Sequence, residues 1–175
     1  MKKQLIIAAF VVGTAGLRAE EFFQASLTPD IAIHTKSTEI RGITLNVWGE
    51  NPQHSLHLGF VNGSTGDSGG LSWGLVNYFD SFTGVSWGLV NISKDKFTGW
   101  SDGLVNVSQG TFIGVQSGWI NVAKEFHGLQ YGLVNYSENL RGVQIGFVNV
   151  ARNNSWFKEF PDKLATGFPI VNWSF

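Results

Sequence analysis

Apolar and polar residues alternate in short bursts along most of this chain. In residues 84–91, Val85, Trp87 and Leu89 are bulky, while Gly84, Ser86, Gly88 and Asn91 are small or polar. Residues 142–148 follow the same rule, with Val143, Ile145 and Phe147 set between Gly142, Gln144, Gly146 and Val148. A period of two is the signature of a β-strand with one bulky face and one small or polar face. Between the bursts lie "SKDK", "SQGT", "AKE" and "SEN", which are turn material. The pattern predicts an all-β protein of many short strands.

The strands are copies of one another. The phrase Gly-(Leu/Phe/Trp)-(Val/Ile)-Asn begins at Gly59, Gly74, Gly88, Gly103, Gly118, Gly132 and Gly146, in steps of 15, 14, 15, 15, 14 and 14 residues. From the second copy onward another glycine stands four residues earlier, at Gly70, Gly84, Gly99, Gly114, Gly128 and Gly142. A degenerate first copy, "GITLNVWG", lies at 42–49, and a degenerate last one, "GFPIVN", at 167–172. Counting from the earlier glycine as position 1, the unit reads G-x-x-x-G-L-V-N-x-(S/A), a polar gap, then Phe or Leu. Self-similarity at a fixed short period marks a repeat architecture.

Two architectures accommodate this unit. In a parallel β-solenoid each copy is one coil, and Gly and Asn stack on their counterparts. In an antiparallel meander each copy is one strand. The unit is nearly palindromic in side-chain character about position 4, as good cross-strand pairs in a meander require. A coil of 14 or 15 residues also has little room to enclose Val, Trp, Leu and Phe from every turn at normal packing density. A meander of roughly ten strands must close to remove its edges. The preferred expectation is therefore an antiparallel up-and-down β-barrel, with the parallel β-solenoid as the alternative.

Composition adds less. The 175 residues include 22 glycines and seven tryptophans but no cysteine, and the formal charge is −1. Disulfides and thiol chemistry are excluded, and there is no basic footprint for nucleic acid. Residues 1–19 read as a signal peptide: Lys2 and Lys3 precede an apolar run from Leu5 to Val12, and small residues offer cleavage after Ala15 or Ala19. Residues 20–175 are then one repeat-built β domain, with the repeats at about 42–175.

The segments "GLQYGLVN" (128–135), "GVQIGFVN" (142–149) and "FPIVNWSF" (168–175) resemble bacterial secreted proteins with Gly-Leu-x-x-Gly-Leu-x-Asn surface repeats. The glycine-rich short strands are also similar, more weakly, to the shallow barrels called β-flowers. The resemblance implies an envelope location and a repeat-built β fold, and it carries no catalytic residues. The alternating C-terminus, ending in Phe175, is also like the closing strand of outer-membrane barrels.

Chemistry is sparse. His54 and His57 are three apart, on opposite sides of a strand, and His34 and His127 have no partner in sequence. All four read as surface or strand-end histidines, so no metal or other cofactor is expected. The "GSTGDSGG" stretch at 63–70 has the Gly-Asp-Ser-Gly of a serine-protease nucleophile without the accompanying His or Asp context, and reads as a turn. The informative irregularity is position 4, which runs Leu58, Trp73, Trp87, Asp102, Ser117, Tyr131, Ile145. If this row points into a barrel, Asp102 and Ser117 open a polar notch against Trp73, Trp87 and Tyr131, which has the character of a ligand pocket. The functional expectation is a non-enzymatic, exported protein of the envelope, outer membrane or cell surface, with a structural or interaction role. The alternative is a small binding module holding a lipid or other apolar ligand in the barrel mouth.

Export generates a direct expectation. Replacing Lys2 and Lys3 together by Glu retains the protein in the cytoplasm, because positive charge ahead of the apolar run orients a signal peptide. N-terminal sequencing of the exported wild type begins near Gly16 or Glu20; an intact Met1 on correctly exported protein overturns the assignment.

Overall fold

The computed structural model describes residues 20–175, and the signal peptide assigned to 1–19 lies outside the described residues. The chain is all-β, with strands β1 (Glu20–Thr28), β2 (Ile31–Ala32), β3 (Glu39–Asn51), β4 (His54–Trp73), β5 (Val76–Trp87), β6 (Val90–Ala151) and β7 (Gly167–Ser174). The sheet order is β2-β1-β3-β4-β5-β6-β7. β1 pairs with β3, and β3, β4, β5 and β6 pair in succession, all in parallel; antiparallel pairing occurs at the two ends, β2 on β1 and β7 on β6. This is a β-solenoid and corrects the antiparallel barrel. Like lies on like: Asn77 on Asn91, Gly84 on Gly99, Ser86 on Ser101, Trp87 on Asp102.

The reason is the asparagine at position 8. Each Asn side-chain amide donates to the side-chain oxygen of the next one: Asn62 to Asn77 at 3.0 Å, Asn77 to Asn91 and Asn91 to Asn106 both at 2.8 Å, and Asn46, in register with Gly59 at position 5, reaches Asn62 at 3.0 Å. The ladder continues through Asn121 and Asn135 to Asn149 at 2.9, 2.9 and 2.8 Å. From Asn62 to Asn135, the second amide hydrogen goes to the position-4 carbonyl of the following coil, as in Asn91 to Asp102 O at 2.8 Å and Asn106 to Ser117 O at 2.8 Å. In three coils the serine at position 3 donates to the asparagine oxygen of its own coil: Ser72 to Asn77, Ser86 to Asn91, Ser101 to Asn106. Such an asparagine is buried with both donors and its oxygen satisfied, which is what makes burial of an amide tolerable.

Glycine at position 5 makes room for the ladder. A Cβ at Gly88 would meet the Gly74 carbonyl oxygen at 2.5 Å and the Asn77 amide nitrogen at 2.6 Å. Glycine at position 1 answers a different demand. Gly84, Gly99, Gly114, Gly128 and Gly142 have φ between 133° and 143°, and a Cβ on any of them would overlap the carbonyl oxygen of the glycine one coil earlier. Ordinary residues avoid such backbone angles, and here the chain must bend.

Packing density is met by keeping most of the bulk outside. The interior holds the asparagines, small or amide side chains at positions 3 and 10 except for Phe79, and one aromatic row on which Phe79 stacks. That row is Phe82, Phe97, Phe112 and Phe126, followed by Leu140. Successive ring centroids are 5.5, 4.8 and 5.4 Å apart, with planes within 27° of parallel. Offset stacking of this kind adds to the burial itself. Position 3 changes from Ser to Gln in the last copies, where Gln144 donates to Gln130 and Gln130 to Gln116, each at 2.8 Å.

Both open ends are covered. At the first, the short β2 folds antiparallel onto β1. At the other, β7 runs antiparallel to residues 142–150 of β6, so the "GFPIVN" segment is a cap and not a further coil. Pro169, which has no amide hydrogen to offer a ladder, falls in this terminal strand. Short or Pro-bearing end strands block sheet extension by another chain.

The ladder sets an expected loss. Asn106→Leu strands the Asn91 amide, the Asn121 oxygen, the Ser101 hydroxyl and the Ser117 carbonyl, and lowers unfolding free energy by about 2–5 kcal/mol. Urea denaturation measures it, with the exposed Lys124→Ala as a control expected within about 0.5 kcal/mol of wild type.

Candidate functional site

Position 4 faces outward. Because positions 3 and 8 both point inward, the residues between them turn a corner, and positions 2, 4, 6, 7 and 9 lie on the outside of the coil. Trp73 is 60% exposed, Trp87 58% and Tyr131 59%. The five residues Trp73, Trp87, Asp102, Ser117 and Tyr131 do form one row, one residue per coil, as the repeat spacing requires. With no barrel lumen the row lies on the outside of the solenoid, where Trp73 borders a recess with Leu58, Phe60 and Leu75.

Within the row, two contacts are specific. The Trp73 and Trp87 rings stack with centroids 6.3 Å apart and planes 29° from parallel. The Ser117 hydroxyl donates to Asp102 Oδ1 and accepts from Trp100 Nε1 at 2.9 Å. Asp102 and Ser117 therefore satisfy each other at the surface, and Trp100 is the partner that the sequence reading missed. Its signal was available, since Trp100 is the one indole at position 2 and stands a coil below Ser117. The same chemistry recurs near the start of the solenoid. Trp48 Nε1 donates to the Tyr78 hydroxyl at 3.0 Å, and Tyr78 donates to Glu50 Oε2 at 2.6 Å across the bare backbone of Gly63. Partial burial, and then the Glu50 carboxylate that accepts its proton, push the Tyr78 pKa up to about 12.

Around this row spreads a broad apolar surface. Phe60, Leu75, Leu89, Leu104, Trp119, Leu133 and Phe147 occupy position 6 of successive coils, and all are exposed. A valine or isoleucine stands beside each at position 7. Charged side chains keep mainly to the polar turns, where Lys94 pairs with Asp80 at 2.8 Å and Asn139 donates to Glu125 at 2.6 Å. With neighbouring coils about 4.8 Å apart, the seven steps from Asn46 to Asn149 give a belt about 34 Å long. An exposed apolar surface continuous over many coils is the kind that marks an interaction site.

The remaining candidates resolve individually. His57 is fully buried, edge-on to the Phe82 ring at 5.7 Å, which corrects its reading as a surface residue. His54, three residues earlier, is exposed on the other side. Burial drives the His57 pKa down to about 3, the Gly69 backbone offsets part of this, and His54 adds to it. Among the described residues no three His, Asp or Glu side chains gather to hold a metal ion. In the "GSTGDSGG" turn, the Ser68 hydroxyl donates to the Thr65 carbonyl at 2.9 Å and accepts from the Gln53 amide at 3.1 Å.

Fold and surface together define a β-solenoid with a polar, hydrogen-bonded interior and an apolar outer belt. No family model matches the chain, and no curated protein or solved structure is significantly similar to it.

His57 makes stability depend on pH with a definite sign. Its folded pKa lies below the unfolded value of about 6.5, so below that pH the unfolded chain takes up a proton that the folded chain does not. Stability is then lost progressively as pH falls from about 6.5 toward 3, by up to about 1.4 kcal/mol per pH unit from this group. His57→Phe flattens that slope in denaturation measured between pH 7 and 4; an unchanged slope refutes the assignment.

Proposed function

We propose that this chain is an exported, non-catalytic interaction protein of the cell envelope that seats its apolar outer belt on a lipid surface. The observation that carries the reading is the inversion of the usual arrangement: amides and hydroxyls are inside, and Trp, Leu and Val rows are outside. Leaving those rows in water is costly at roughly 25 cal/mol per Å², and an apolar neighbour removes the cost. Trp48, Trp73, Trp87, Trp100, Trp119 and Tyr131 all stand on this surface, and such aromatics favour the boundary between lipid and water. The turns bearing Lys94, Lys124, Asp80 and Glu138 supply the side that stays hydrated. No helix of the described residues is long and apolar enough to cross a membrane, so the attachment proposed is through the faces of strands.

Vesicle flotation tests this. Full-length protein floats with phosphatidylethanolamine–phosphatidylglycerol vesicles, and the triple variant Leu75→Lys, Leu89→Lys, Leu104→Lys stays at the bottom while keeping the wild-type circular dichroism spectrum. Wild type that remains monomeric without detergent and does not float overturns the reading.

A further inference from the structure

The outer face of the first coils is ridged. On β1, Gln24 and Ser26 are buried, so the alternate residues Ala25 and Leu27 face outward. The same alternation on β3 buries Thr44 and Asn46 and turns Leu45 and Val47 out. Register then lines these residues up across the strands. Ala25 lies beside Leu45 and Leu45 beside Leu58, with Trp73 next at the repeat spacing. Two residues further along each strand stand Leu27, Val47, Phe60 and Leu75, which make a second ridge. Between the ridges runs a row that shows only backbone to the outside. Ser26 and Asn46 in that row turn their side chains into the interior, and a Cβ at Gly59 or Gly74 would meet a carbonyl of the preceding coil.

The space between the ridges is a trench open to solvent. Over the first coils it widens into a hollow of about 670 Å³, within the range of small-molecule sites. A recess of about 370 Å³ shares Leu58 and Gly59 with that hollow and carries it on to Trp73, Gly74 and Leu75. The β1–β2 hairpin lengthens both ridges, through Ile31 and through Ile33, whose amide donates to the Ala25 carbonyl at 3.1 Å. From the hairpin to the coil of Trp73 is four strand spacings, or about 19 Å. The ridges stand two residues apart, about 7 Å, which makes the trench narrow. No ionisable residue lines either hollow. Beyond Trp73 the first ridge continues to Trp87 and is then broken by Asp102, which is bonded to the Ser117 hydroxyl. The apolar run therefore has a definite length.

We infer that this trench binds a single unbranched fatty acid lengthwise, with the carboxylate left in water. Length supports this occupant, because the hydrocarbon of one bilayer leaflet is about 15 Å deep and a chain of that reach lies within the trench. Width supports it too, since one polymethylene chain fits between the ridges and a cage or fused-ring system does not. The lack of charge in the walls leaves nothing to hold a head group, so the trench selects by the shape and length of the apolar part. The chain lies over the backbone of Asn46, Gly59 and Gly74, against Leu45 and Leu58 on one side and Val47 and Phe60 on the other. The inference goes beyond seating on a surface, because the trench holds its chain with no membrane present.

Isothermal titration of the full-length protein at pH 8, with each ligand below its micelle concentration, tests it. Undecanoate binds one to one, and affinity rises about fourfold for each two methylenes from heptanoate to undecanoate, half the free energy of full burial. Adamantane-1-carboxylate, with the same number of carbons as undecanoate, binds at least tenfold more weakly. Ala25→Trp, which fills the trench, abolishes undecanoate binding, and Val47→Asn weakens it fivefold or more. Leu133→Asn, the same kind of change at an exposed belt position coils away, leaves it as in wild type. Ala25→Trp still floats with vesicles, since the belt beyond the first coils is untouched, so this inference and the lipid-surface reading fail separately. No binding of undecanoate, no gain with chain length, equal affinity for the cage compound, or a Val47→Asn variant no weaker than Leu133→Asn overturns the inference. If Ala25→Trp does not fold, Val47→Asn, a change at an exposed side chain, decides.

Discussion

A buried amide must place two donors and an oxygen, and in this protein the cheapest way to place them is against another copy of itself. Each position-8 asparagine within the ladder gives one hydrogen to the next asparagine and, from Asn62 to Asn135, the other to a main-chain carbonyl of the next coil. That arrangement exists only when coils stack in parallel and in register. In an antiparallel meander centred on position 4, the asparagine would face the residue just before position 1, such as Thr83 or Thr98. A one-residue slip in a coil would break the ladder at once. Fold, register and the small size of the neighbours follow from this one requirement.

The ladder also explains where the bulk went. A coil whose centre is filled by amides, a few hydroxyls and one phenylalanine row has no space for tryptophan, leucine and valine as well. The corners at positions 1 and 5 to 7 turn those residues outward, and the glycines at 1 and 5 permit the turn because carbonyls and amides of the previous coil fill the space a Cβ would need. The apolar belt is thus a geometric consequence of a polar interior. Its presence makes an apolar neighbour the natural functional reading, and the carboxylates set within it, Glu50 and Asp102, are each engaged by a hydroxyl that also receives an indole N–H.

Where the repeat stops, the logic stops with it. At the C-terminal end β7 reverses direction, and Asn149 turns its amide to the carbonyls of Gly146 and Phe168 in place of a next asparagine. At the N-terminal end no equivalent substitution is made: Asn46 Oδ1 and the hydroxyl of its register partner Ser26 are buried without a hydrogen-bond partner among the described residues. The two ends of one ladder therefore differ in kind.

The period-two alternation, the copies and the turns were legible in the sequence alone, because they depend on local residue type and spacing. So was the single file of Trp73, Trp87, Asp102, Ser117 and Tyr131, which any in-register stacking of the copies produces. Direction of pairing was not, since the near-palindrome about position 4 suits an antiparallel neighbour as well as stacking suits a parallel one. The recurrent Asn and Gly held the deciding information, but its weight appears only when the amide is seen buried and bonded to its own kind. Tertiary structure alone decided which face is interior, for alternation says that two faces differ and not which one meets water. It alone set His57 against Phe82, joined Trp100 to Ser117, and brought Ser26 beside Asn46, contacts between residues that lie 17 to 25 apart in the chain or that depend on how a coil end is closed.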